Sequence, residues 1–128
     1  MKILGIDYGT SKIGVSISEG FLADPYKVIR YQEENDAIEK ISFIVKNEGI
    51  EKIVVGVSEG ESAESSEAFG KILKNKLAIE VDFWDETLST QEAIDKSIEA
   101  GMGREKRKAL EDAFAATIML QSYLDTNV

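Results

Sequence analysis

Residues 2–18 read KILGIDYGTSKIGVSIS, and the fold follows from this stretch. Ile3, Gly5 and Asp7 alternate with Leu4 and Ile6, and after a glycine-containing turn at 8–12 Ile13, Val15 and Ile17 alternate with smaller residues. A period of two on both sides of a short turn predicts a β-hairpin with Asp7 closing its first strand. Working outward, Glu19-Gly20 turns the chain into a third strand around 26–31, which Asp24-Pro25 places at an edge because proline cannot donate to a central ladder. DAIEKISFIVKNEG (36–49) then spaces Ile38, Ile41, Phe43, Ile44 and Val45 as a helix does, and Gly49 stands where a C-cap belongs.

KIVVGV (52–57) is a continuous apolar run of strand length, which predicts a strand covered on both faces. The polar loop SEGES leads to a second helix over about 63–76, and IEVDFW (79–84) forms the next strand. Ser89 and Glu92 have capping-box spacing and open a third helix that runs to about Ala100; a last helix extends from about Arg104 to Leu124. The order βββαβαβαα over residues 1–128 predicts a single α/β domain. Its five-stranded mixed sheet combines a three-stranded antiparallel meander with parallel strands and is flanked by helices.

Composition removes whole classes of chemistry. The chain has no Cys and no His, which excludes a disulfide framework, a thiolate nucleophile, a His-based triad and a conventional zinc site. Carboxylates, Lys, Arg, hydroxyls and the hard cations that carboxylates bind are what remain. With 24 acidic and 15 basic residues the net charge is −9, so any contact with phosphates needs a local basic patch or a bridging metal. No stretch approaches the roughly 20 apolar residues of a membrane span, and residues 1–6 lack the plan of a signal peptide. The expectation is a cytoplasmic protein.

Three acidic positions fall where chemistry could be built. Asp7 is an ordinary turn aspartate or a strand-end carboxylate beside the Gly9-Thr10-Ser11 turn, whose amides and hydroxyls can face a phosphate or a metal-bound water. Asp85 and Glu86 are a solvated loop pair or ligands at the carboxyl end of a strand, where open α/β sheets bind. Asp112 is a first-turn acid favoured by the helix dipole or, sharing a wheel face with Ala115, Ala116, Met119 and Tyr123, a carboxylate turned toward the sheet. The run Arg104, Lys106, Arg107, Lys108 is a solvated turn or an anion contact, since cations near a helix N-terminus are not favoured by the dipole. Lys71, Lys74 and Lys76 read as surface, and Phe83 and Trp84 as packing residues.

These segments together resemble a known family. GIDYGTSKIGVSIS is similar to the opening DxGxxRIGVAxS of the YqgF/RuvX-type nucleases, and KIVVG to their central IVVG strand. WDETLSTQEA resembles DERxST-x-EA, and RKALEDAFAATIMLQSYL resembles the closing RKxxxDxxAAxxILQxYL. The resemblance implies an RNase H-like fold and a role in Holliday-junction resolution or in maturation of the small-subunit rRNA precursor. It carries the family's acids onto Asp7, Glu86 and Asp112, as catalytic residues and as ligands for one or two Mg²⁺ or Mn²⁺ ions, with Asp7 the candidate bridge. Gly9, Thr10, Lys12, Arg107 and Lys108 become the substrate-binding set. The implied partners are an rRNA precursor or branched DNA; a ribosomal partner and a monomer or homodimer as the working form complete the expectation.

The chain departs from the family pattern at three places. Lys12 replaces an Arg, keeping charge without bidentate geometry, and Thr87 replaces the Arg of DER. VSEGESAES replaces a Pro- and Asn-containing loop, bringing Glu59 and Glu61 close to where related resolvases carry their second acid. Two rivals follow: a catalytically silent binding module on the same scaffold, and an ATPase, because IDYGTS also resembles the first phosphate loop of actin-like folds. The latter need two such domains to close on a nucleotide.

Overall fold

The computed structural model describes residues 1–57, 61–86 and 111–127, with side chains throughout except at 61, 62, 111, 112 and 127. The elements are β1 (Ile3–Asp7), β2 (Lys12–Ser18), β3 (Ala23–Arg30), α1 (Glu34–Glu48), β4 (Lys52–Val57), α2 (Glu61–Leu77), β5 (Glu80–Asp85) and α3 (Glu111–Asn127). The sheet order is β3-β2-β1-β4-β5. Short turns make β1, β2 and β3 antiparallel neighbours, whereas the helical crossovers before β4 and β5 make β1, β4 and β5 parallel. The mixed five-stranded sheet is the expected one. The helix opened by Ser89 and the segment 104–110 lie outside the described residues.

Strand alternation divides the core between the two faces. Leu4, Ile6, Ile13, Val15, Ile53 and Val55 point to one side, where Ile38, Ile41 and Ile44 of α1 and Phe69 and Leu73 of α2 cover them. Ile3 and Val54 point to the other, against Met119, Leu120, Tyr123 and Leu124 of α3. Burying each such side chain contributes about 1.5–3 kcal/mol, so this two-sided division is the main source of stability. The apolar run of β4 is explained directly: Ile53, Val54 and Val55 are buried on alternate faces.

Three details differ from the sequence pattern. β3 begins at Ala23, since Pro25 is accommodated on an edge strand beside a register shift at Val15/Ser16. Phe43 is 66% exposed: α1 buries Ala37, Ile38, Ile41 and Ile44, and position 43 falls off that stripe. Ala115 is exposed, because the buried stripe of α3 is turned toward Ala113, Ala116, Thr117 and Leu120. Gly49 is the left-handed C-cap of α1 as expected, with φ 65° and its N–H bonded to the Val45 carbonyl.

The start of β4 is locked to α3 by charge. Lys52 Nζ lies 2.8 Å from Asp82 Oδ2, and the Tyr123 hydroxyl donates to the same oxygen at 2.6 Å. These two donors hold the Asp82 carboxyl below its ordinary range, and the Asp82 hydrogen bond is the largest cause raising Lys52. Trp84 packs edge-on against Tyr123 and donates to Ser122 Oγ at 3.2 Å, so it is a packing residue. A carboxyl lowered on folding contributes stability that is complete above its unfolded pKa and disappears as pH falls through the folded value. Asp82→Asn should therefore cost about 1–2 kcal/mol at pH 7, with a difference from wild type that shrinks toward pH 3. Thermal denaturation at pH 7, 5 and 3 checks this; an unchanging difference would rule the account out.

Candidate nuclease site

The site is built where β1, β4 and β5 end. Alternation along β1 puts Gly5 and Asp7 on the α3 face, and a Cβ at Gly5 would come 2.9 Å from Leu120 Cβ. Asp7 is half-buried at the strand end, and its neighbour across the parallel ladder is Gly56. A Cβ at Gly56 would lie 2.6 Å from Glu86 Oε1, 3.0 Å from Glu86 Cγ and 3.1 Å from Met119 Cγ. The Glu86 carboxylate therefore rests over Gly56, whose backbone lies one strand spacing of about 4.8 Å from that of Asp7. Asp7 and Glu86 thus fall at the same end of the sheet, on its α3 face.

The third is approached through the backbone. Leu124 belongs to the cluster around Ile3, and Leu120 covers Gly5, so α3 runs antiparallel to β1 with its N-terminus at the Asp7 end. Asp112 is the second residue of α3, two turns before Met119; its side chain lies outside the described residues. Glu61 is the first residue of α2, again without a described side chain, and Glu59, Thr87, Arg107 and Lys108 lie outside the described residues. Among the described residues no group of three acids gathers tightly enough to hold a metal by itself. The donor set nevertheless suits a hard cation: a Glu86 carboxylate oxygen occupies the space that a Cβ at Gly56 would fill, and Gly56 is the ladder neighbour of Asp7.

The turn after Asp7 is held by residues that the sequence pattern does not single out. Tyr31 donates its backbone N–H to the Ser11 carbonyl at 3.1 Å and its hydroxyl to the Gly9 carbonyl. Tyr8 stacks on Phe69 with centroids 4.6 Å apart, and its hydroxyl reaches Glu34 Oε2 at 3.4 Å. Burial, then Tyr31 and Glu34, push the Tyr8 hydroxyl well above the usual phenol range. Thr10 and Lys12 are exposed, and Gly9 is half-buried. Tyr31 falls at the end of the strand predicted around 26–31 and directly after β3 as it stands in the structure.

A family model described as "RuvX: Holliday junction resolvase" matches residues 1–126. The chain belongs to the RuvX family. A relative from Bacillus mycoides (strain KBAB4), named "Putative pre-16S rRNA nuclease", is 39% identical, over 98% of this chain and 99% of its own. Among solved structures, a T. thermophilus RuvC in complex with a Holliday junction substrate superposes with a TM-score of 0.66 at 13% identity, covering 100% of this chain and 97% of that one. The fowlpox virus Holliday junction resolvase gives 0.62 at 12% identity, with 100% of both chains covered. The fold of this RuvX-family chain is the RNase H-like fold of those resolvases, and the family is one of nucleases.

Gly56→Ala tests the cradle. The added methyl must displace the Glu86 carboxylate, so phosphodiester cleavage should fall roughly tenfold to a hundredfold. The accompanying loss of stability should stay at about 1–3 kcal/mol, with the secondary structure intact by circular dichroism. Wild-type cleavage by the Ala variant would remove Glu86 from the site.

Proposed function

We propose that the chain, as a single cytoplasmic domain, is a divalent-metal-dependent nuclease that trims the 5′ end of the pre-16S rRNA. The observation that carries this reading is the Glu86 carboxylate over Gly56, beside the end of β1 where Asp7 stands. Asp7, Glu86 and Asp112 would hold the metal, with Asp7 nearest the centre of the sheet. Mg²⁺ or Mn²⁺ bound there would supply Lewis-acid polarisation of the phosphate and acidify the attacking water. The carboxylates themselves orient that water and, being concentrated at one strand end, exclude an uncompensated phosphate. Lys12 neutralises a neighbouring phosphate, and Arg107 and Lys108 serve the same purpose from the segment before α3. The name of the B. mycoides relative supports rRNA; the family description and the T. thermophilus neighbour support a branched DNA substrate as the second reading. Among the described residues no helix is long and apolar enough to cross a membrane.

Purified protein should cut a precursor-rRNA 5′ end, a four-way DNA junction, or both in Mg²⁺ or Mn²⁺, and neither in chelator. Asp7→Asn and Asp112→Asn should abolish cutting while leaving the fold intact. Divalent metal should also raise the melting temperature of the wild type, and Asp7→Asn should reduce that gain, because clustered acids repel until a cation joins them. Binding without cleavage under every metal condition would replace this reading with that of a silent nucleic-acid-binding module.

A further inference from the structure

The pairing of β2 with β3 places two cations side by side. Tyr31 N–H bonds to the Ser11 carbonyl at 3.1 Å, and the next pair along the ladder is Lys12 opposite Arg30. In an antiparallel ladder the pair after a hydrogen-bonded one is non-bonded, and its side chains approach closest, with Cα atoms about 4.5 Å apart. Ile13 and Ile29, the following pair, are buried beneath α1 and α2, so Lys12 and Arg30 stand on the opposite face. That is the face of Asp7, Gly56 and Glu86. Both residues are exposed, and among the described residues the Arg30 guanidinium has no ion-pair or hydrogen-bond partner, although its carbonyl accepts from Lys40 Nζ at 3.3 Å.

Like charges directly opposite each other on a sheet repel, and an anion between them turns the repulsion into attraction. A guanidinium also offers what the Lys12 ammonium lacks, a planar fork matched to two phosphate oxygens. Arg30 stands two strands from Asp7 and two residues beyond the Asp7–Gly14 pairing, roughly 12 Å away from strand spacing and rise. That is too far for the phosphate held at Asp7 and suited to a neighbouring one. Resting on the nuclease reading above, we propose that Arg30, paired with Lys12, is a substrate-positioning residue that grips a backbone phosphate flanking the scissile one. It provides from β3 the bidentate contact that the opening motif of this chain does not.

The test is a binding and cleavage comparison of wild type, Arg30→Gln, Arg30→Lys and Lys12→Gln on a precursor-rRNA 5′-end oligonucleotide and on a four-way DNA junction, across a salt series. Arg30→Gln should weaken binding about tenfold and lower the slope of log affinity against log salt by about one. Arg30→Lys should restore the slope but not the full affinity, and KM should rise more than kcat falls. The melting temperature of Arg30→Gln should equal or exceed that of wild type, since a repulsion is removed. Wild-type affinity and salt slope in Arg30→Gln, on a substrate that the wild type cuts, overturn the inference and leave the nuclease reading standing. Loss of binding with a matching fall in melting temperature in both Arg30 variants also overturns it, as a structural role. If the wild type neither binds nor cuts either substrate, both readings fall together.

Discussion

The structure depends on how closely α3 lies against the middle of the sheet. At Gly5 and Gly56, on adjacent central strands, the space that a Cβ would occupy is taken by Leu120 and by Met119 with Glu86. A side chain at either position would bring its Cβ into overlap with Ser16 Oγ or to 2.6 Å from Glu86 Oε1, contacts that cannot all relax because core packing is already dense. The Ser16 hydroxyl donates to the Ala116 carbonyl at 3.0 Å, which fixes the height of the helix over β2 as well. The position of residue 112 is therefore set by packing one and two turns further along the helix. Site and core are one construction: the same missing Cβ admits a core methionine and a surface carboxylate.

Polar groups on α3 then fix its rotation. Gln121 is fully buried, and its Oε1 accepts the Ala23 N–H at 2.9 Å while its Nε2 donates to the Phe21 carbonyl at 3.1 Å. One amide thus satisfies both sides of the β2–β3 connection, and losing it would leave buried backbone groups unpaired. Tyr123 does the equivalent for β4 and β5 through Asp82. With Gln121 at one edge and Tyr123 at the other, the helix can neither roll nor slide without breaking a buried hydrogen bond. Its first turn is delivered to the Asp7 end in a fixed orientation.

The parts of this that could be read from the sequence are those governed by short-range alternation. The hairpin of β1 and β2, the doubly covered β4 and the Gly49 cap all follow from period and punctuation. Phe43 and Ala115 misled because a wheel of apolar residues does not say which of two adjacent stripes meets the sheet; close approach at glycines decided it for α3. Gln121, Ser122 and Thr117 are all buried in that helix, so its apolar face is not cleanly separated from its polar one. Asp7 and Glu86 were legible as strand-end acids, but the seat of the Glu86 carboxylate over Gly56, the ladder partner of Asp7, is a tertiary fact set by the parallel register of the central strands. Arg30 had no signal, because a cation at the end of a strand looks the same whether its cross-strand neighbour is neutral or charged.

A net charge of −9 does not decide how this surface meets a polyanion. At physiological ionic strength charges separated by more than about 8 Å through solvent are largely screened, so a phosphate responds to the groups it touches. The sheet sorts those groups by position. The far end carries the Lys52 and Asp82 pair, and the β2–β3 end beside Asp7 carries Lys12 and Arg30 on one face. Carboxylates on β1 and β5 and cations on β2 and β3 thus form adjacent zones of opposite sign. A backbone crossing the boundary would meet cations at its flanking phosphates and, at Asp7 and Glu86, acids that repel it unless a divalent ion intervenes. In an acidic chain organised this way, attraction to a polyanion is set by where the charges stand rather than by their sum.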